Sequence, residues 1–289
     1  MSLRISLELL RRSFTDWNDD DAARLGASLA FYAILSMSPL ILLLIAVASM
    51  ALSRSTAEAH LLSEVQGVAG RESRDAIEAI LASGQRQSSG LIASVVGVIV
   101  LLVGASGVFR ELRSAMNTIW DCKAKSDNGI WASVKERCFS FGMVVGVGSI
   151  LLVSLLASAS LDAVAKYFSG MLPLPSAIVD SINFLFSFIA IAILFGLIFK
   201  YVPETKIEWR DVRVGALLTA LCFTIGKSLL ALYLGKTSPG SAYGAAGSLV
   251  VVVIWVYYSA QIFFFGAEFT HVHALWERGE MLPITLPTK

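Results

Sequence analysis

Long stretches without a single charged residue are the feature of this sequence that most constrains its fold. The two longest lie between Arg24 and Arg54 and between Lys236 and Glu268. A helix needs about 20 apolar residues to cross roughly 30 Å of hydrocarbon. Only 16% of the 289 residues are charged, whereas about 25% are charged in soluble domains. The core of a soluble domain of this size could not enclose so many apolar runs. The sequence therefore predicts an integral membrane protein.

Six stretches are long enough to span a bilayer. Backbone groups in lipid must be hydrogen-bonded internally, and the alternating pattern of a β-barrel is absent, so the spans are expected to be helices. We predict one all-α, polytopic membrane domain over residues 1–289. Its predicted transmembrane helices are 25–53, 88–109, 139–161, 178–200, 212–234 and 243–268.

Three segments lie outside the predicted spans. Residues 1–20 carry apolar and basic positions on different helical faces, which predicts an amphipathic helix lying on the membrane surface. Residues 54–86 have two apolar stripes at helical spacing, separated by Gly67–Gly70. We predict an outer helical hairpin that is broken at these glycines. Residues 269–289 form the C-terminal tail.

The distribution of basic residues predicts the orientation. Of the 23 Lys and Arg residues, 16 fall on the side that carries both termini and 6 on the opposite side. Short cytoplasmic loops are enriched in Lys and Arg. Both termini are therefore expected to be cytoplasmic.

Lys227 is the one basic residue in the interior of a predicted span, away from its ends. A charge at that depth is costly and by default indicates function. The alternative is that the side chain snorkels, because Lys227 is within about 10 Å of the outer end of its helix by helical rise.

Depth in the membrane suggests partners for this lysine. Asp180 and Asn183 fall in the outer part of the fourth span, and Ser36 lies at a similar depth in the first. Pro39 follows closely and is expected to kink or unwind its helix, as broken helices do at transporter sites. We predict a substrate pocket formed by Ser36, Pro39, Asp180, Asn183 and Lys227. An ordinary structural kink at Pro39 is the alternative.

The sixth span carries a polar face. Tyr257, Gln261 and Glu268 are spaced by four and seven residues and share one side of the helix. This face is predicted to line an inner vestibule. Interhelical hydrogen bonding and interfacial anchoring are the alternative.

The sequence lacks the motifs of several functional classes. Glu268 and His271 have the spacing of a di-iron ligand pair, but the second pair and further carboxylates are missing. Three cysteines without CxxC spacing predict neither a disulfide nor a zinc site. No nucleotide-binding or hydrolase motif occurs, and a net charge of +1 gives no reason to expect nucleic acid. We expect no enzyme activity, no metal, no cofactor and no nucleic-acid partner; membrane lipids are the expected partners.

Three segments resemble a known family. They run from Gly26 to Pro39, from Tyr201 to Tyr233 and from Tyr243 to Glu268, and they resemble the YihY/BrkB family of bacterial inner-membrane proteins in the same order. The resemblance implies six membrane helices in the bacterial inner membrane. It also implies links to serum resistance, as a virulence factor, and to movement of envelope lipids or solutes. An old family label as a tRNA-processing ribonuclease finds no suitable residues here. The matching positions are Gly26, Tyr32, Pro39, Trp209, Asp211, Lys227, Tyr243, Gly244, Gly247 and Glu268.

Two functions follow from these observations. The first is a transporter or flippase-like permease that does not use ATP, in which Lys227 attracts an anionic or zwitterionic solute or lipid headgroup. The second is a non-transporting structural or assembly protein of the cell envelope, which acts through its outer hairpin while Lys227 snorkels. An intramembrane enzyme ranks below both, because no catalytic pair is visible.

Overall fold

A computed structural model describes residues 3–49, 53–87, 107–122, 176–237 and 247–280. This part of the chain is helical and contains no strand, as the predicted all-α class requires. The helices are α1 (Leu3–Asp19), α2 (Ala22–Ala48), α3 (Arg54–Gln87), α4 (107–119), α5 (Ser176–Tyr201), α6 (Trp209–Thr237) and α7 (Gly247–Glu277).

Three of the described helices are long and apolar enough to cross a membrane. These segments are Phe184–Tyr201 of α5, Trp209–Leu230 of α6 and Leu249–Glu277 of α7, and α2 contributes a shorter apolar stretch, Ala22–Ser38. The predicted second span lies outside the described residues except at 107–109, and the third lies wholly outside them. The structure therefore supports a membrane-spanning helical protein without confirming the count of six.

The last helix continues well past its predicted end at Glu268. It runs to Glu277 because the residues beyond Glu268 continue the buried face. Phe269 and Val272 are buried and form a cluster with Leu9 of α1. The N-terminal amphipathic helix thus packs its apolar side onto the end of α7. The predicted end at Glu268 was wrong because this charged residue is buried and not at the helix terminus.

The outer segment differs from the predicted hairpin. One helix, Arg54–Gln87, extends through the glycines at which a break was predicted, so that part of the prediction is wrong. A glycine inside a helix costs about 1 kcal/mol relative to alanine, and the strong helix formers on either side offset this cost. Residues from both halves of α3, namely Ala57, Ile77 and Leu81, belong to one apolar cluster with Ile41 and Ile45 of α2.

Helix α2 is also uninterrupted at its proline. The helix runs from Ala22 to Ala48, so the backbone does not unwind at Pro39. Proline removes one backbone hydrogen bond, and the remaining bonds of a 27-residue helix hold its two halves in helical conformation. The side chain of Pro39 lies outside those described.

The core lies between α5, α6 and α7. The rings of Phe195 and Phe199 of α5 pack at a tilt against the ring of Phe263 of α7, with centroid distances of 5.8 Å and 5.2 Å. Ala22 and Leu25 of α2 and Met116 and Ile119 of α4 join the same cluster. Helix α7 is thus the central element, with described helices packed along several of its faces.

Helices α6 and α7 approach closely through two matching notches. A side chain on Gly215 would collide with Thr270, and one on Gly266 would collide with Thr219. Each threonine hydroxyl donates to a carbonyl of its own helix, Thr219 to Gly215 and Thr270 to Gly266, both at 2.7 Å. The two Gly-x-x-x-Thr pairs therefore face each other and allow close helix packing.

Candidate functional site

Polar side chains lie at two places along α7. One is a groove shared with α6, which we name the lysine groove. The other is the α1 end of the bundle, made of α1, the turn at Asp20–Asp21, residues 120–122, the loop 202–208 and residues 278–280. The predicted orientation places the α1 end in the cytoplasm.

The lysine groove has a cavity volume of about 310 Å³. Its lining is mostly apolar and aromatic, and Lys227 is its only charged member among the described residues. Lys227 itself is half-buried. The lining residues are Phe223, Gly226, Lys227, Leu229, Leu230 and Tyr233 from α6, with Trp255, Tyr258, Ser259 and Ile262 from α7.

Ser36 is the one other member of the predicted substrate pocket whose side chain the structure describes, and it does not line this groove. Ser36 is buried in α2, where its hydroxyl donates to the carbonyl of Ala33 at 3.1 Å. The backbone of Asp180 and Asn183 is helical in α5, but their side chains lie outside the described ones, like that of Pro39. The grouping of these residues around Lys227 stays a prediction.

At the α1 end, the carboxyl groups of Asp20 and Glu268 are in hydrogen-bond contact. Glu268 is 1% exposed, and its Oε1 atom has no hydrogen-bond partner among the described residues. Asp20 is half-buried, and burial, the largest cause, raises the pKa of its carboxyl group. One carboxyl group is therefore enclosed by protein while its partner retains access to solvent.

The turn between α1 and α2 positions Asp20. Asp21 has a positive φ of 52°, a left-handed conformation that aspartate tolerates better than most residues. Its amide donates to the carbonyl of Asn18 at 3.2 Å, while its own carbonyl accepts from the amide of Arg24 at 2.8 Å. This turn ends α1, starts α2 and brings the carboxyl group of Asp20 to α7.

A hydrogen bond from Gln261 of α7 connects this helix to the start of α2. The Nε2 atom of Gln261 donates to the carbonyl of Ala22 at 3.2 Å, and a side chain at Gly26 would collide with this amide. Gln261 and Glu268 therefore face the same turn, whereas the ring of Tyr257 packs edge-on against Tyr258 at 5.6 Å. The helices that would open or close the predicted vestibule lie partly outside the described residues, so the vestibule stays a prediction.

His271 has an aromatic neighbour in the structure. Its ring packs against Trp120, with centroids 4.9 Å apart. Among the described residues, no group of three or more His, Cys, Asp or Glu side chains is arranged to hold a metal ion.

Three polar contacts at the α1 end were not predicted from the sequence. The carboxylate of Asp211, only 6% exposed, accepts from Arg278 at 2.7 Å and from the amide of Glu208 at 3.2 Å. Asp211 accepts from the amide three residues before it, as the third residue of a capping box does, but Glu208 and Asp211 are not the residue types of that signature. Arg113 of α4 pairs with Glu204 at 2.9 Å, which attaches the loop 202–208 to α4; no local pattern reveals this long-range pair.

Apolar spanning helices with buried polar groups between them define a multi-pass helical membrane protein. The family model described as Virulence factor BrkB matches residues 13–282. The chain belongs to that family, as the resemblance of its motifs implies.

Several curated relatives are named UPF0761 membrane proteins. The one from Verminephrobacter eiseniae is 31% identical over 188 residues, which is 64% of this chain and 42% of the relative. The one from Glaesserella parasuis is 26% identical, over 62% of this chain and 61% of the relative. The one from Ralstonia nicotianae is 27% identical, over 86% of this chain and 55% of the relative. The chain thus spans about half the length of these relatives, and no solved structure matches it.

Proposed function

We propose that this protein is a transporter or flippase-like permease that does not use ATP and acts on an anionic or zwitterionic solute or lipid headgroup. It lies in the bacterial inner membrane with both termini in the cytoplasm. The observation that carries the proposal is Lys227, a cation in an aromatic-lined groove between two helices that are apolar enough to span the membrane.

The energetics of a charge at this position support a binding role. An ammonium group in a mostly apolar groove loses part of its hydration, and a phosphate or carboxylate group restores that lost interaction. Ligand pockets begin at about 300 Å³, so a cavity of about 310 Å³ has the size of a headgroup or a small solute.

The groove's aromatic residues extend this chemistry to zwitterions. Trp255 and Tyr258 line the groove together with Lys227. An aromatic face attracts a quaternary or primary ammonium group, while the lysine attracts the phosphate beside it. Both charges of a zwitterionic headgroup therefore find complementary partners in one groove.

The proposal is tested by reconstituting the full chain into vesicles of phosphatidylethanolamine and phosphatidylglycerol. One arm follows a headgroup-labelled fluorescent lipid with a quencher added outside, and the other follows trapped radiolabelled phosphate. We expect one probe to cross, Lys227→Gln to slow it by about tenfold or more, corresponding to about 1.4 kcal/mol, and Lys227→Arg to retain it.

Lys206→Gln is the matched control, because Lys206 is exposed in the loop 202–208 and lies away from the groove lining. Gel filtration and circular dichroism check that each variant is folded. If the folded wild type moves neither probe, or if Lys206→Gln slows transport as much as Lys227→Gln, the permease proposal is wrong. The first result favours the alternative of a non-transporting assembly protein.

A further inference from the structure

Glu268 is a carboxyl group enclosed within a membrane-spanning segment. It lies in Leu249–Glu277 of α7, is 1% exposed, and its Oε1 atom lacks a partner among the described residues. The side chain with which it makes hydrogen-bond contact is Asp20, another acid. A buried carboxylate normally pairs with a cation or with several donors, so this arrangement requires another explanation.

The charges around the pair are mostly negative. Asp16 and Asp19 face it from α1 and Asp121 faces it from the segment after α4. None of the seven ion pairs among the described residues includes Asp20 or Glu268. The nearby arginines are engaged elsewhere, Arg12 with Asp16, Arg24 with Asp21 and Arg278 with Asp211, and His271 lies on the same stretch of α7.

Two carboxyl groups in hydrogen-bond contact need a proton between them. If both were ionised, two negative charges would face each other in a poorly hydrated place, and neither would have a hydrogen to donate. With one proton bound, one group donates and the other accepts, and the pair carries a single charge.

We propose that Asp20 and Glu268 form a proton-binding site that exchanges with water at the α1 end and controls the docking of the α1–α2 turn on α7. On binding, a proton from water adds to one carboxylate oxygen and forms the shared hydrogen bond. On release, the proton returns to water through the half-buried Asp20, and the two remaining charges repel. The repulsion loosens the turn, which Gln261 otherwise holds through the carbonyl of Ala22.

This inference goes beyond the proposed permease and does not depend on it. The site lies against α1 and α2, whereas the lysine groove lies between α6 and α7. A protein that moves no substrate would still bind this proton.

Infrared spectroscopy of the purified full chain in lipid nanodiscs tests the site. Protonated carboxyl groups have a carbonyl stretch that carboxylates lack, and its intensity is followed from about pH 4 to about pH 10. We expect a band that persists above the ordinary carboxyl range and then disappears as the pH rises. Glu268→Gln is expected to remove that band, and Asp20→Asn to shift its titration to lower pH because a negative neighbour is lost.

Glu208→Gln is the control, since Glu208 is exposed and pairs with Arg210 at the surface; its band should match that of the wild type. Glu268→Gln imitates the protonated side chain and is expected to fold. If it does not fold, the direction of the Asp20→Asn shift decides. The inference is overturned if the wild-type band titrates only in the ordinary carboxyl range, if folded Glu268→Gln retains the persistent band, or if Asp20→Asn leaves its titration in place.

Discussion

The two halves of α7 lie in different surroundings. From Phe263 to Ala274 nearly every side chain is buried, including the polar Glu268, Thr270 and His273. From Leu249 to Tyr258 burial alternates with exposure, and both of these residues are about half exposed, at 52% and 51%. The enclosed half can hold a carboxyl group only with a proton or a partner, whereas the open half lines the groove in which Lys227 is partly exposed.

The largest expected effect on stability comes from adding a methyl group at either glycine notch between α6 and α7. In Gly215→Ala the added methyl group would lie 2.7 Å from the Cβ of Thr270, and in Gly266→Ala it would lie 2.8 Å from the Cβ of Thr219. In both variants the threonine hydroxyl oxygen would be closer still. Overpacking of this kind costs about 1–3 kcal/mol. We expect each variant to lower the thermal unfolding midpoint in a fixed detergent.

Gly196→Ala is the matched control for both notch variants. A methyl group there would meet Ala216 and Val212 at ordinary contact distances of 3.6 Å and 3.7 Å. Higher helix propensity should leave this variant as stable as the wild type or slightly more stable. Equal destabilisation of all three variants would contradict the close α6–α7 approach.

A smaller effect on stability is expected from removing the ion pair between Arg278 and Asp211 at the α1 end. Arg278→Ala leaves the buried carboxylate of Asp211 with one hydrogen bond fewer, and hydrogen bonds to charged groups contribute about 1.5–3 kcal/mol. Arg210→Ala removes an exposed pair of similar geometry with Glu208, worth about 0–1 kcal/mol. Unfolding midpoints of the two variants measure the difference, and equal midpoints would mean that the burial of Asp211 has no energetic consequence.

The smallest expected effect is a change of the unfolding midpoint with pH. Because burial raises the pKa of Asp20, the folded chain binds more protons than the unfolded chain between the two pKa values. The stability linked to Asp20 is therefore complete below about pH 4 and is lost as the pH rises through the folded pKa. Asp20→Asn should flatten this slope of unfolding midpoint against pH, whereas Glu208→Gln should keep it. Parallel slopes in all three proteins would contradict the assignment.

Apolar length and spacing were sufficient to predict much of the fold. The predicted spans 178–200 and 212–234 agree closely with α5 and α6, and the amphipathic N-terminus is helical as expected. The end of α7 and the continuity of α3 were not predicted, because local charge and local glycine were given more importance than packing. The buried face beyond Glu268 and the cluster that includes Ala57 and Ile77 depend on contacts between distant segments.

At the candidate sites, too, contacts between distant segments could not be predicted from the sequence. Helical spacing placed Gln261 and Glu268 on one face, and the structure brings both to the α1–α2 turn. Helical spacing did not reveal Asp20 as the partner of Glu268, since a pair of acids 248 positions apart has no signature in a single sequence. The two Gly-x-x-x-Thr notches were not predicted from the sequence, and the structure shows that they face each other.

Chemical labelling at two positions tests whether the lysine groove is open to water while the other half of α7 is enclosed. In the full chain with its three cysteines replaced by serine, Lys227→Cys probes the lysine groove and Ala267→Cys probes the enclosed half, where Ala267 is 0% exposed. We predict that a charged, membrane-impermeant maleimide added on the side opposite the termini reacts at position 227, and that position 267 reacts only after unfolding. If position 227 stays unreactive from both sides while the protein is folded, the lysine groove is closed to water and the proposed permease is contradicted.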